Sequence, residues 1–159
     1  MNKITSCLWY DGDAEEAANF YVSLLSDSRV HSVSRAPGDY PAGKAGDVLT
    51  VEFTLAGQSF LGLNGGPGHP FTEAVSFQIH TEDQAETDRL WDAIVRAGGQ
   101  PVACSWIKDR WGLSWQIVPR RLTELLKDPD PGRAKRVFEA MMTMVKIDVA
   151  EIERAADGG

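Results

Sequence analysis

The chain has 159 residues, of which 23 are acidic and 16 are basic, so its formal net charge is −7. That length suits one domain, or two small halves that share a core, and the acidic balance argues against nucleic acid, whose phosphates need a basic surface. No apolar run approaches the roughly 20 residues that cross a bilayer, and the N-terminal residues lack an apolar secretory segment. With only two cysteines, we expect a reduced, cytoplasmic setting without a membrane partner.

The first half of the chain predicts the order strand, helix, strand, strand, strand. Asp13 followed by Glu16 is typical of a capping box, which places a helix start after the first strand. The predicted strands cover residues 4–9, 30–33, 48–55 and 58–63. Residues 34–47 are rich in glycine and proline and predict a long loop.

The second half repeats this order after the linker-like tract 65–70, GGPGHP. Without a gap, Ser6, Asp13 and Glu16 fall on Ser76, Asp83 and Glu86. The second set of strands is predicted at residues 74–80, 101–105, 106–108 and 113–118, with a helix from Asp83 to the stop at Gly98-Gly99. From Pro119 onward only helices are predicted, including starts at Asp130-Pro131 and at Asp148.

Two tandem βαβββ units that contain LWYDGDAEEAANFY, TVEFTLAGQSFLGLNGGP and DRWGLSWQIVPRRLTELLKDPDP resemble the vicinal oxygen chelate superfamily of glyoxalase, extradiol dioxygenase and bleomycin-resistance folds. Within it the chain is similar to the PhnB-like branch, often labelled 3-demethylubiquinone-9 3-methyltransferase. The resemblance implies an α+β fold in which two modules, about 3–64 and 74–119, form an open barrel-like mixed sheet. Residues 1–119 then make the paired domain, and residues 120–159 make a C-terminal helical extension.

The resemblance also implies where a metal would bind, on the first and last strands of each module. These positions fall on Ser6, Ser76 and Gln116, and on Leu61 or Gly62 in the first module. Serine and amide groups hold a divalent ion poorly in comparison with imidazole or carboxylate, so we expect the metal site to be lost and no cofactor to be bound. The glycines of the linker are not placed between a strand and a helix, so we expect no binding of the methyl donor S-adenosylmethionine either.

Without the metal, the predicted strand alternation leaves a cavity with mixed polar and apolar walls. We predict that its ligand-binding residues are Ser6, Leu8, Gly62, Asn64, Ser76, Gln78 and Gln116. The alternatives are that these polar groups only satisfy one another in a filled interior, or that the chain is an enzyme for a small oxygenated metabolite, of lyase, dioxygenase or isomerase type. Binding or sequestration of a small organic ligand is the interpretation that the residues favour, because they include no supported acid, base or nucleophile.

Other chemically capable residues have weaker patterns. His31, His69 and His80 lack the spacing of a metal motif, and Cys7 and Cys104 lie within predicted strands, where buried structural roles are the more common. The family resemblance also implies a homodimer. The loop at 34–47 and the C-terminal helices are the predicted sites of its contacts.

Overall fold

The computed structural model describes residues 2–159, which divide into two compact units with a boundary between Phe71 and Thr72. Each unit contains one α-helix on a four-stranded mixed sheet, and the second unit also contains the C-terminal helices. The predicted α+β class and the two tandem βαβββ modules are therefore confirmed. None of the helices within the described residues has the length and apolar character needed to cross a membrane.

The first unit consists of a sheet with strand order β1-β4-β3-β2 and one helix packed on it. Its elements are β1 (Ser6–Tyr10), α1 (Ala14–Leu24), β2 (Arg29–Arg35), β3 (Val48–Leu55) and β4 (Gln58–Asn64). β1 is parallel to β4, and the other neighbours are antiparallel. Because side chains alternate along a strand, Val51 and Phe53 turn inward, and the ring of Phe53 lies 6.2 Å from that of Tyr21 in α1.

The second unit repeats this topology with the order β5-β8-β7-β6 and adds three helices. Its elements are β5 (Ser76–Thr81), α2 (Gln84–Arg96), β6 (Gln100–Pro101), β7 (Trp106–Lys108), β8 (Ser114–Pro119), α3 (Arg120–Leu126), α4 (Pro131–Met141) and α5 (Val149–Ala156). Asp83, Asp130 and Asp148 each accept a hydrogen bond from a first-turn amide, as their sequence signals predict.

The strand predicted over residues 101–105 is wrong for most of its length. β6 contains only two residues, and Cys104 and Ser105 instead have positive φ angles of 57° and 79°. Their amides donate to the carbonyl oxygens of Met144 and Val145, both at 2.9 Å. A contact with residues forty positions later therefore holds this turn, and Cys104 does not lie in a strand.

The start of α1 also differs from the prediction. Within the described part of the chain, the Asp13 side chain makes no capping hydrogen bond, and the Ala14 amide donates instead to Asn64 Oδ1 at 2.9 Å. Asn64 Nδ2 also donates to the Val48 carbonyl at 3.0 Å, so one buried side chain joins α1, β3 and β4. Asn64, in the last strand of the module, thus caps the helix in place of Asp13, which the sequence predicted as the cap.

The C-terminal extension packs on the second unit through its own small core. That core consists of Val118, Leu122, Leu125, Val137, Ile147, Ile152 and Ala156. Gln84 at the start of α2 holds it in place, since its amide donates to the Ile147 carbonyl at 3.0 Å and accepts from the Val149 amide at 2.8 Å. Lys146 adds an ion pair with Asp88, with 2.7 Å between Nζ and Oδ1.

Replacing Asn64 with alanine should destabilise the protein far more than replacing Asp13 with alanine. Asn64→Ala removes a buried helix cap and leaves the Val48 carbonyl without this donor, a loss of about 1–3 kcal/mol in the free energy of unfolding. Asp13→Ala removes no capping bond and should cost less than about 0.5 kcal/mol. Urea unfolding followed by tryptophan fluorescence measures both values, and equal losses would contradict the assignment of the cap.

The ion pair between Asp88 and Lys146 should make stability depend on acidity. Hydrogen bonds from Lys146 and then Gln84 hold the pKa of Asp88 below its usual 3.8. A carboxyl whose folded pKa is lowered stabilises the fold above its unfolded pKa, and that stabilisation disappears as the pH falls through the folded pKa. Because both side chains are partly exposed, Asp88→Asn should cost less than about 1 kcal/mol near neutral pH.

Thermal unfolding at several pH values provides the measurement. The difference in midpoint between the unchanged protein and Asp88→Asn should narrow as the pH falls from about 5 to about 3. Asp92→Asn on the same helix is the control, because Asp92 has no ion pair within residues 2–159. A pH-independent difference for Asp88→Asn would show that the ion pair contributes nothing.

Candidate functional site

The parallel pairing of β5 with β8 decides which side chains share a face of the second sheet. Gln78 lies directly beside Gln116, and Ser76 lies beside Ser114. Thr81 faces α2, where its hydroxyl lies 2.6 Å from the hydroxyl of Thr87. Alternation therefore turns the even-numbered residues of both strands to the opposite face, as expected for Ser76, Gln78 and Gln116.

These three residues form a continuous hydrogen-bonded set, which we call the amide row. Gln78 Nε2 donates to Gln116 Oε1 at 3.1 Å, and Gln116 Nε2 donates to Ser76 Oγ at 2.8 Å. The chain of bonds can also run in the opposite sense, because a hydroxyl both donates and accepts. In either sense each amide keeps one further N–H, and Gln78 itself is exposed to solvent.

Ser114 is a neighbour of the amide row that the sequence did not single out. It lies on the same face as Gln116, its side chain is 1% exposed, and its hydroxyl has no hydrogen-bond partner among residues 2–159. A buried hydroxyl without a partner is uncommon and costs stability. Its position two residues before Gln116 in a strand was the available signal.

On β7, an aromatic and a basic residue lie beside the amide row. Trp106 pairs with Gln116, and Lys108 pairs with Ser114. Lys108 forms an ion pair with Glu73 and lowers the pKa of that carboxyl, chiefly through its hydrogen bond. The positive charge on this face is thus already matched by a carboxylate, which leaves the site close to neutral.

In the first unit, the predicted site residues lie on the face of the sheet that packs against α1. Leu8 and Asn64 are buried toward α1, and Ser6 shares their face by alternation. Gly62 lies so close to the helix that a Cβ added there would be 3.1 Å from the Cβ of Ala14. The structure therefore does not bring Ser6, Leu8, Gly62 and Asn64 onto the face opposite the helix, and their contact with a ligand stays a prediction.

A one-residue difference between the modules explains this outcome. Three residues separate β1 from α1, whereas two separate β5 from α2, so α1 and α2 correspond at an offset of 70 residues and β1 and β5 at an offset of 71. A shift of one residue exchanges the two faces of a strand. The residues equivalent to Gln78 and Gln116 are then Cys7 and Leu61, which pair with each other. Desolvation raises the pKa of the Cys7 thiol although the side chain is exposed, which makes it a poor nucleophile.

The titratable side chains of the described residues are spread over the fold or engaged in structural contacts. Within residues 2–159 there is no cluster of three or more His, Cys, Asp or Glu side chains that could hold a metal ion. His69 packs edge-on against Trp9, with 4.6 Å between the ring centroids. Asp109 is buried, but it accepts from the Trp111 and Leu113 amides and from the Trp115 indole at 2.9–3.0 Å, so it organises the turn between β7 and β8.

Most of the chain matches a known protein family. Residues 2–118 match the model of the 3-demethylubiquinone-9 3-methyltransferase family. Among curated proteins, none matches the chain. The match ends one residue before the end of β8, so the C-terminal helices lie outside it.

Solved structures agree with this assignment. A PhnB protein from Bacillus cereus is 35% identical, with a TM-score of 0.65, and the alignment covers 74% of this chain and 99% of that protein. A Pseudomonas aeruginosa protein is 17% identical, with a TM-score of 0.60 and coverage of 75% and 98%. The fosfomycin resistance protein FosX from Mesorhizobium loti is 11% identical, with a TM-score of 0.51 and coverage of 74% and 92%, and shares the fold alone. The chain belongs to the 3-demethylubiquinone-9 3-methyltransferase family, in the PhnB-like branch of the vicinal oxygen chelate superfamily.

Proposed function

We propose that this protein binds a small organic ligand at the amide row, without a metal ion. The observation that carries the proposal is the shared face of Ser76, Gln78 and Gln116, where two amides are oriented by each other and still have hydrogen-bonding capacity. Small-molecule sites commonly combine a few fixed polar groups of this kind with apolar walls.

The donor set of this site does not fit a divalent transition metal. A structural or catalytic ion is held by imidazole, thiolate or carboxylate groups, typically three or more of them from the protein. The amide row supplies two neutral amides and one hydroxyl, and in the structure the oxygen of Gln116 already accepts from Gln78. The equivalent pair in the first unit is Cys7 and Leu61, and an aliphatic side chain cannot ligate an ion.

Catalysis on a small oxygenated metabolite receives less support than binding. General acid–base chemistry needs a titratable group within hydrogen-bond reach of the reacting atom. Asp109, which is the only buried Asp, Glu, Lys or Arg within the described residues, has its oxygens occupied by turn amides and an indole. His80 shares the face of the amide row by alternation, but within residues 2–159 no hydrogen bond joins it to the row or orients its ring. A methyltransferase reaction also receives less support, because the glycines of 65–70 lie between β4 and β5 rather than between a strand and a helix.

Mass spectrometry of the full chain under native conditions tests the proposal directly. Protein purified without chelators should retain an organic molecule that denaturation releases, and elemental analysis of the same sample should find transition metal well below one ion per chain. Because the ligand is bound by side-chain groups and not through a metal ion, its retention should not change after treatment with EDTA. Near-stoichiometric zinc, iron or manganese would contradict the metal-free site, and the absence of any retained molecule would contradict the ligand.

Substitution of the amide row should weaken retention of that molecule without unfolding the chain. Gln116→Leu copies the residue at the equivalent position of the first unit and removes two hydrogen bonds of the row. We expect an affinity loss of about threefold to tenfold per hydrogen bond to the ligand, measured by competition in the same experiment. Gln100→Leu on the edge strand β6 is the matched control and should change nothing. Equal retention by both variants would place the ligand elsewhere.

A homodimer and a cytoplasmic location stay predictions of the sequence. The candidate dimer contacts are the loop at 34–47 and the C-terminal helices. Some apolar side chains on α4 and in the segment between α4 and α5 are exposed, among them Phe138, Met142 and Val145.

A further inference from the structure

A cavity of about 640 Å³ lies on the first unit, away from the predicted ligand-binding residues of that unit. It opens on the face of the sheet opposite α1. Glu52 and Leu61 face each other across β3 and β4, and Thr54 and Ser59 form the next pair on the same face. This volume is within the range of small-molecule sites, and all four side chains come from strands of one sheet.

A β-bulge brings His31 into the cavity wall. Val30 pairs with Phe53 and Ser32 with Glu52, so β2 contains one extra residue between these pairs, which is His31. Bulges often redirect a side chain next to a functional site. Here His31 Nε2 lies 2.5 Å from the Thr54 hydroxyl, which fixes the imidazole at the rim.

The cavity wall contains one acidic side chain and neither Lys nor Arg. Glu52 is the only residue of these charged types among the lining residues. Its Oε2 accepts from the Ser32 hydroxyl at 2.9 Å, and the carboxylate forms no ion pair with any residue in the range 2–159. An exposed carboxylate that forms no ion pair, bordered by hydroxyl oxygens and by the apolar side chain of Leu61, attracts cations and repels anions.

We infer that this cavity binds a small primary ammonium compound with a compact apolar group. The ammonium donates to the Glu52 carboxylate and to the hydroxyl oxygens of Thr54 and Ser59, and the apolar group covers Leu61. An ammonium group has three donors and no acceptor, which matches a wall of oxygen acceptors. The cavity shares no lining residue with the amide row, and the inference does not depend on the function proposed for that row.

Three probes that share one ring and differ in charge test the inference. Benzylamine, benzyl alcohol and benzoate are titrated into the isotopically labelled full chain, and backbone amide shifts are followed by NMR. Benzylamine should shift the signals of Glu52, Thr54 and Leu61 in a saturable manner, benzyl alcohol should bind more weakly, and benzoate should leave those signals unchanged.

The variant Glu52→Gln keeps the shape of the wall and removes its charge. It should weaken benzylamine binding about threefold to fivefold, as expected for an exposed ion pair, and bring it to the level of benzyl alcohol. Asp11→Asn, which removes a carboxylate of the same unit outside the cavity wall, is the control and should have no effect. Benzoate binding equal to that of benzylamine, benzylamine binding unchanged in Glu52→Gln, or no shifts on this face would each overturn the inference.

Discussion

The register between β5 and β8 is the constraint on which the account of this protein depends. Because the two strands are parallel and paired at Gln78 and Gln116, the two amides meet on one face and bond to each other and to Ser76. A shift of one residue in either strand would turn the glutamine of that strand toward α2 instead. Ile79 and Ile117, which lie under the helix, fix that register, since they would become exposed by the same shift.

The two modules share a topology but cap the start of their helices with residues from different elements. In the second module Asp83 caps α2 from the preceding loop. In the first, the loop is one residue longer, Asp13 does not cap, and Asn64 at the end of β4 takes its place. Because Asn64 points toward α1, it cannot also contact a ligand on the opposite face of the sheet. The first module therefore presents Cys7 and Leu61 where the second presents two amides.

Much of the fold was predictable from local signals. The alternation of strands, the caps at Asp83, Asp130 and Asp148 and the placement of Ser76, Gln78 and Gln116 on one face all follow from patterns within a few residues. The positions of Ser6, Leu8, Gly62 and Asn64 were not predictable in this way, because the two halves of the sequence match without a gap and the extra loop residue is visible only in the paired strands. The turn at Cys104 and Ser105 escaped prediction for another reason: residues 144 and 145 hold it, and no local pattern reports a contact that distant.

A titration with manganese ions tests the central claim, that the amide row is an organic rather than a metallic site. Mn²⁺ is paramagnetic and broadens the NMR signals of groups that ligate it. With one equivalent of Mn²⁺, the account predicts that the side-chain amide signals of Gln78 and Gln116 keep the intensity that they have without the ion. Selective loss of the Gln78 and Gln116 signals at that concentration would contradict it.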